Sequence, residues 1–240
     1  MIDKFRKTTL FSLLMAFSFY MFACHQGTAL KNLSPIQPPA TLSNDITLTK
    51  KPERPELTMT KNDITMTISY WRRYDLNLKF NRGSTTSPFY YEEAWHQGDK
   101  VDVFYVTIKN NRKAPILFDV TNCKIVDQDK NEFGALSYED NRKRLEYKKG
   151  HDVMIENGLE ESKKILLEMS VADGKIDPGE TVEGFLPFRQ VKHRTKEFNV
   201  DIPIEMVPEK ALARYKKIVF SFPFVHNLAI RMAQPSTIRF

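Results

Sequence analysis

Apolar and polar side chains alternate along much of the chain. Residues 64–71 place an apolar side chain at every second position, and residues 74–80 repeat this period. Because successive side chains of a strand point to opposite faces of a sheet, the period predicts two half-buried strands. Segments rich in β-branched and aromatic residues predict further strands over 101–109, 116–126, 181–188, 198–207 and 217–222. Residues 127–131 predict a hairpin turn that leads into 132–133.

One segment departs from the period of two. Between 139 and 170 the chain is rich in lysine and glutamate, and four apolar residues share one helical face: Ile155, Leu159, Leu166 and Met169. This spacing predicts one or two helices inserted at the edge of a sheet, where they cover an open edge or one end of the core. Short antiparallel strands without alternating helices predict an all-β fold, an antiparallel β-sandwich with a helical insertion.

The chain begins with a basic stretch and an apolar run over 10–23. This run has the length of the apolar part of a signal peptide, and it is shorter than the roughly 20 residues of a membrane-spanning helix. Cys24 follows directly, and the pair Ala23 and Cys24 resembles the lipobox of bacterial lipoproteins. The resemblance implies a signal peptide over 1–23 and lipidation of Cys24 by acyl chains such as palmitate.

Two alternatives stay open for this cysteine. Cleavage after Ala29 would remove Cys24 and release a soluble protein. If Cys24 instead stays in the chain without a lipid, it could pair with Cys123, because export exposes a protein to an oxidising environment in which disulfides persist.

Five prolines occur between 24 and 60, where large apolar residues are few. Proline fixes φ and removes a backbone donor, so this segment is predicted as an extended tether before the folded domain. The β-sandwich is predicted over 61–224, with a C-terminal tail over 225–240. Residues 44–49 return almost unchanged as 62–67, and we interpret this echo as a small duplication.

Four segments together resemble one family. They are DVFYVTIKNN at 102–111, KIVDQDKNEF at 124–133, IDPGETVEGFLPF at 176–188 and KIVFSF at 217–222. In this order they look like the telokin-like, immunoglobulin-like domain of unknown function common in bacterial lipoproteins. The resemblance implies an immunoglobulin-like β-sandwich over about residues 60–224. The chain departs from the family pattern at Lys130 and Asn131, where a hairpin glycine is expected, and in its helical insertion.

Charge argues against a nucleic-acid partner. The chain has 36 Lys and Arg against 30 Asp and Glu, a net charge of +6, but its basic residues form only short runs. A nucleic-acid surface needs a sustained basic stripe with stacking aromatic residues. We therefore predict no nucleic-acid partner.

Motif spacing predicts neither a cofactor nor a metal site. The sequence has no C-x-x-C, H-x-x-x-H, G-x-S-x-G, S-x-x-K or phosphate-binding glycine loop. Asp127, Asp129 and Asn131 imitate the first half of a calcium loop, but the later positions lack its glycine and glutamate, so a simple hairpin is predicted. A copper-carrying sandwich with His151 and Met154 is an alternative.

The connection over 81–100 is unusually aromatic. A loop of this length in a compact domain usually binds or covers something. Tyr90, Tyr91 and Trp95 supply rigid contact area, and Glu92 and His96 would form the polar rim of a surface for a ligand or partner. The alternative is that the rings fold back and cap the end of the core.

These features predict an exported, lipid-anchored, noncatalytic β-sandwich that acts as an interaction or accessory module of the cell envelope. Its partners would be the membrane, through the N-terminal lipid, and an envelope protein or glycan. In enterobacterial lipoproteins an aspartate after the lipidated cysteine favours retention in the inner membrane, and here His25 follows Cys24. The resemblance to lipoproteins therefore implies the outer membrane over the inner membrane if the host has one. The alternative is an envelope enzyme that acts on glycan or peptide, with acid–base groups drawn from Glu92, Glu93, His96 and Asp99.

The lipid anchor predicts a simple labelling result. Cells grown with a fatty-acid probe should label the wild-type protein and should leave Cys24→Ala unlabelled, because the thiol is the acylated group. An unlabelled wild type, or equal label on the two proteins, would contradict lipidation of Cys24.

Overall fold

Two antiparallel sheets and three helices make up the part of the chain that the computed structural model describes, residues 34–49, 54–80, 87–89, 101–149, 156–192, 194–208 and 214–227. The strands are β1 (Ile36–Gln37), β2 (Ile46–Thr49), β3 (Glu56–Lys61), β4 (Ile64–Trp71), β5 (Val101–Asn110), β6 (Ile116–Phe118), β7 (Lys124–Asp127), β8 (Glu132–Gly134), β9 (Gly174–Ile176), β10 (Thr181–Arg189), β11 (Glu197–Met206) and β12 (Lys216–His226). The helices are α1 (Arg73–Phe80), α2 (Tyr138–Lys149) and α3 (Glu156–Met169). Within these ranges no helix is long and apolar enough to cross a bilayer.

The two sheets have five and seven strands. The five-stranded sheet has the order β10-β5-β4-β3-β2, and each neighbouring pair is antiparallel. In the seven-stranded sheet β12 lies between β1 and β11, and β11 pairs on its other side with both β7 and β6. β8 and β9 extend this side as partners of β7 and β6.

The inner faces of the sheets pack together and form the main core. Alternate residues of the long strands point into this core, as the period of two predicts. Phe104 of β5 contacts Phe188 of its own sheet and Phe224 of the other, with ring centroids 5.7 Å and 5.1 Å apart. Burial of these rings removes a large apolar area from water. The architecture is that of a β-sandwich.

The strand predicted over 116–126 is broken in its middle. A 3-10 turn at Val120–Asn122 separates β6 from β7. The Asp119 carboxylate accepts hydrogen bonds from the backbone N–H and the hydroxyl of Thr121, at 2.8 Å and 2.6 Å. These local hydrogen bonds give polar groups of the turn a partner at the point where the hydrogen bonds of the sheet stop.

The strand predicted over 74–80 is wrong, because this segment is helix α1. Leu76 and Phe80 are buried, whereas Tyr74 and Leu78 are exposed. A strand would place all four side chains on one face, but residues four apart also share one face of a helix. The alternating pattern therefore fits both structures, and the helix buries only every second apolar residue.

A buried ion pair begins α1. The Arg72 guanidinium donates to both carboxylate oxygens of Asp75, each at 2.7 Å, and both side chains are buried. The Arg72 carbonyl accepts the N–H of Leu76 at 3.1 Å, the first bond of the helix. The positive end of the helix dipole also stabilises the negative charge of a carboxylate in the first turn. This pairing favours a helix over a strand.

The tether predicted over 24–60 is wrong for its described part. β1 and β2 lie within this range, and β3 begins within it. Their buried core residues are Ile36, Ile46, Leu57 and Met59. Residues 44–49 and 62–67 each form an Asn-Asp turn followed by a strand of the same sheet. Residues 225 and 226 of the predicted tail belong to β12, which continues to the buried His226.

The helices form a third layer on the outer face of the five-stranded sheet. Together they build a second core, whose buried members are Leu76, Phe80, Phe89, Val101, Val103, Leu136, Leu145, Leu159, Leu166 and Phe185. Both ends of the segment that carries α2 and α3 bond to the free edge of β10. The Leu136 N–H donates to the Pro187 carbonyl at 2.8 Å, and the Val171 N–H donates to the Phe185 carbonyl at 3.0 Å. The insertion thus covers both a strand edge and part of a sheet face.

Gly184 lets the backbone that follows α3 pass close to β10. A Cβ at this position would lie 2.4 Å from the backbone nitrogen of Val171, well inside a van der Waals contact. A residue without a side chain is therefore required where the two backbones meet. The docking of the helical layer depends on this close approach.

Gly184→Ala should destabilise the fold by about 2 kcal/mol or more, because the methyl group overlaps backbone that cannot rotate away. Gly134→Ala is the matched control, since no atom lies within 4 Å of its added Cβ. The control should change the free energy of unfolding by less than about 0.5 kcal/mol. Urea unfolding measures both, and equal small losses would contradict the role of Gly184.

Candidate functional site

The predicted site residues lie outside the described part of the chain. They are the lipidation site Cys24 and the candidate binding residues Tyr90, Tyr91, Glu92, Trp95 and His96. The alternative acid–base groups Glu93 and Asp99 and the alternative copper ligands His151 and Met154 also lie outside it. These assignments stay predictions.

Phe89 belongs to the same aromatic connection and is described. Its ring is fully buried, with its centroid 4.9 Å from that of Phe185 and 5.6 Å from that of Phe80. The sequence left open whether the rings of this connection bind a partner or fold back onto the core. The Phe89 ring folds back and is part of the second core.

The calcium-like segment 127–131 forms the hairpin between β7 and β8. The Asp127 carboxylate accepts hydrogen bonds from the backbone N–H groups of Asp129 and Asn131 and from the Asn131 amide. Burial alone would raise the pKa of Asp127, but these hydrogen bonds, chiefly from Asn131, hold it below its ordinary value. Across the described residues, no group of three or more His, Cys, Asp or Glu is arranged to hold a metal ion.

Cys123 and His226 are both buried. Burial, and then the Asp119 and Asp173 carboxylates, raise the pKa of the Cys123 thiol, so it stays protonated and poorly nucleophilic. Cys123 forms no disulfide within the described ranges. The Nδ1 atom of His226 lies 3.1 Å from the Thr195 carbonyl oxygen. The positions of both residues fit structural roles.

A cleft of about 220 Å³ opens between residues 170–173, the start of α2 and strand β10. Its walls are mainly apolar. The Ser170 hydroxyl donates to the Leu166 carbonyl, and the Asp173 carboxylate accepts the Val120 N–H. Because these polar groups already have partners, the cleft offers little that could orient a ligand.

Aromatic rings and charged groups meet on the outer face of the five-stranded sheet, where the helical layer ends. Trp71 of β4 and Tyr105 of β5 are half-buried there, with centroids 6.2 Å apart. Both rings contact Phe185, at 4.9 Å and 5.1 Å, and Phe185 is fully buried beneath them. We name Arg54, Trp71, Lys79, Tyr105 and Glu183 the cationic aromatic cluster.

Two cations share the Trp71 ring. The Arg54 Cζ atom lies 3.7 Å from the ring centroid, and the Lys79 Nζ atom lies 5.2 Å from it. Lys79 also lies 5.1 Å from the Phe185 centroid. The negative face of an aromatic ring attracts a cation by about 0.5–1 kcal/mol at exposed sites. No carboxylate of the described residues lies within ion-pair distance of either cation.

The electrostatics of the cluster favour an added anion. Partial desolvation, and then the nearby Arg54 charge, lower the pKa of Lys79, while Glu183 opposes this shift. Burial, and then the Glu183 carboxylate, raise the pKa of the Tyr105 hydroxyl. The cluster therefore holds two cations and the Glu183 carboxylate, and Glu56 lies two residues from Arg54 on the same face of the sheet. An anionic group of a ligand that contacts both cations would relieve the repulsion between them.

Sequence reasoning missed this cluster because its cations lie in segments that were assigned differently. Arg54 falls in the predicted tether and Lys79 in the predicted strand. The β3–β4 register pairs Glu56 with Ser69, and its continuation places residue 54 opposite residue 71. The available signal was Trp71 itself, a large aromatic residue on the polar face of its strand.

Comparison with known proteins gives little further information. No family model and no curated protein matches the chain. A solved structure from Bacillus subtilis, named a "putative lipoprotein", matches with a TM-score of 0.31 and 16% identity, over 69% of this chain and 38% of that chain. This chain thus spans well under half of that structure's length. A TM-score this low carries no argument about fold or function.

A double-mutant cycle tests the contact between Arg54 and Trp71. Arg54→Gln and Trp71→Leu should show a coupling free energy of about 0.5–1 kcal/mol in urea unfolding, the magnitude of an exposed cation–π contact. Arg54→Gln with Tyr74→Leu is the control pair and should show no coupling, because Tyr74 is 55% exposed and has no described contact with Arg54. Equal coupling in both pairs would contradict the contact.

Proposed function

We propose that this protein is an exported, lipid-anchored, noncatalytic β-sandwich that binds a partner of the cell envelope through the cationic aromatic cluster. The observation that carries the proposal is that Arg54 and Lys79 lie over the half-buried Trp71 ring. Tyr, Trp and Arg dominate the energetics of binding surfaces, because they bury large areas and form directional polar contacts.

Binding suits the cluster better than catalysis does. Glycan cleavage needs two carboxylates on either side of the scissile bond, and the cluster has only Glu183. The raised pKa of Tyr105 keeps its hydroxyl neutral near pH 7, so it is no base. Cations and rings can hold a ligand without transforming it.

We also assign the sandwich to the telokin-like, immunoglobulin-like domains that the sequence resembles. Two of the resembling segments coincide with features that a β-sandwich uses to shape its strands. KIVDQDKNEF contains the hairpin between β7 and β8. IDPGETVEGFLPF contains a turn at residues 178–179, with Gly179 at φ +82°, and the close approach at Gly184.

The proposed anchor is a lipid on Cys24, and the proposed location is the envelope, at the outer membrane if the host has one. Described structure begins at residue 34, so the ten residues 24–33 separate the anchor from it. A chain of this length spans at most about 36 Å. The domain would therefore stay near the membrane surface, and Tyr90, Tyr91, Glu92, Trp95 and His96 would extend its binding surface.

Photo-crosslinking in intact envelopes tests the binding surface. Leu78 precedes Lys79 on α1 and is 66% exposed, and Leu167 on α3 is 62% exposed, so the two form a matched pair. A benzophenone amino acid in place of Leu78 should give adducts larger than the protein, because a partner bound at the cluster lies within its reach. The same group in place of Leu167 should give none.

Two further results bear on this proposal. Arg54→Gln with Lys79→Gln should abolish the adducts from position 78, because it removes the charges that hold the partner. No adduct from position 78, or equal adducts from both positions, would contradict binding at the cluster.

A further inference from the structure

Threonines form a row across the outer face of the five-stranded sheet. The strand register pairs Thr47 with Thr58, Thr58 with Thr67, and Thr67 with Thr107. Thr107 in turn faces Glu183 of β10. Neighbouring strands lie about 4.8 Å apart, so the row places hydroxyl groups at a regular spacing across four strands and ends on the Glu183 carboxylate of the fifth.

A second row runs parallel to the first. It consists of Thr60, Thr65, Lys109 and Thr181, which face one another in the same register. The Thr58 and Thr67 hydroxyls lie 3.0 Å apart, and those of Thr60 and Thr65 lie 3.1 Å apart. Because β-branched side chains are stiff at χ1, these hydrogen bonds fix the orientation of the hydroxyls before any ligand arrives.

The rows and the cationic aromatic cluster form one continuous surface. Tyr105 of the cluster precedes Thr107 by two residues, so both side chains lie on the same face of β5. In the described residues the helical layer stops at Trp71 and Tyr105, and the threonine rows beyond carry exposed or half-buried side chains. We name the cluster together with the two rows the polar strip.

The chemistry of the polar strip selects its partner. The threonine rows present hydroxyls, which both donate and accept hydrogen bonds, and they lack the large apolar anchors that protein interfaces bury. Carbohydrates match such a surface, because they are also dense in hydroxyls and have faces that stack on aromatic rings. Arg54 and Lys79 add positive charge at one end, which is complementary to a sugar acid.

We propose that the polar strip binds an acidic polysaccharide, with a sugar carboxylate at Arg54 and Lys79 and sugar hydroxyls on the threonine rows. This inference rests on the proposed function and names its ligand class. Glu183, at the end of the first row, would accept a hydrogen bond from a sugar hydroxyl. The partner is thus a chain of uronic-acid type, and a polypeptide partner is the competing outcome of the test.

Affinity electrophoresis of the full-length protein in detergent tests this inference. Native gels contain polygalacturonate as the acidic probe or pullulan as the neutral one. Polygalacturonate should retard the wild type, and Arg54→Gln with Lys79→Gln should weaken its binding about tenfold or more, because charge-assisted contacts are lost. Pullulan should cause little or no retardation.

Two matched variants exclude simpler explanations. Lys79→Gln alone should bind polygalacturonate more weakly than the wild type. Lys216→Gln removes the same single charge at an exposed position on β12 of the other sheet, and it should bind like the wild type. Thr58→Val with Thr67→Val keeps the shape and strand preference of the side chains but removes their hydroxyls, so it should bind about threefold more weakly. Melting curves should show that each variant is folded.

Several results would overturn the inference. They are no retardation of the wild type, equal retardation by pullulan, equal loss in Lys216→Gln and Lys79→Gln, or wild-type binding by the threonine variant. A protease-sensitive partner in the adduct from position 78 would also overturn it, while leaving the proposed function in place. If position 78 gives no adduct, both this inference and the proposed function are contradicted.

Discussion

Phe185 joins the layers of this protein. Its ring lies on the outer face of β10 and contacts Trp71, Phe80, Phe89 and Tyr105, with centroids between 4.9 Å and 5.6 Å apart. Leu186 and Phe188, which follow on the same strand and point to its other face, lie in the main core. One strand therefore serves two cores. The backbone around Phe185 also accepts the chain that leaves α3, and this is sterically feasible because Gly184 has no side chain.

The candidate site follows from the border of this second core. The helical layer covers one end of the outer sheet face, so the rings at its limit, Trp71 and Tyr105, are neither fully buried nor fully exposed. Long cationic side chains suit such a border, because their stems cover apolar rings while their charged ends reach water. Arg54 occupies it from the segment just before β3 and Lys79 from α1, and the threonine rows begin where it ends. The proposed binding surface thus lies where the protein changes from buried to exposed.

Sequence patterns predicted the long strands because each has one apolar and one polar face. The prediction failed at 74–80, because apolar residues at every second position also include pairs four apart, which share one face of a helix. The pattern alone could not show whether a sheet or a helical layer would cover these residues. The short strands before residue 62 were missed because proline content suggested a tether, whereas pairing with β4 and β12 stabilises them through distant contacts. The threonine rows depend on strand register, which periodicity alone does not give. The contact between Arg54 and Trp71 depends on that register too.

The central claim is that the outer face of the five-stranded sheet is the binding surface of an envelope protein. Hydroxyl-radical footprinting measures it directly, by comparing side-chain oxidation in intact envelopes with oxidation of the purified protein in detergent. Trp71 and Tyr105 should oxidise several-fold more slowly in envelopes, while Tyr215, which is 61% exposed beside the other sheet, should oxidise at the same rate in both. Equal rates for Trp71 and Tyr105 in the two samples would contradict the claim.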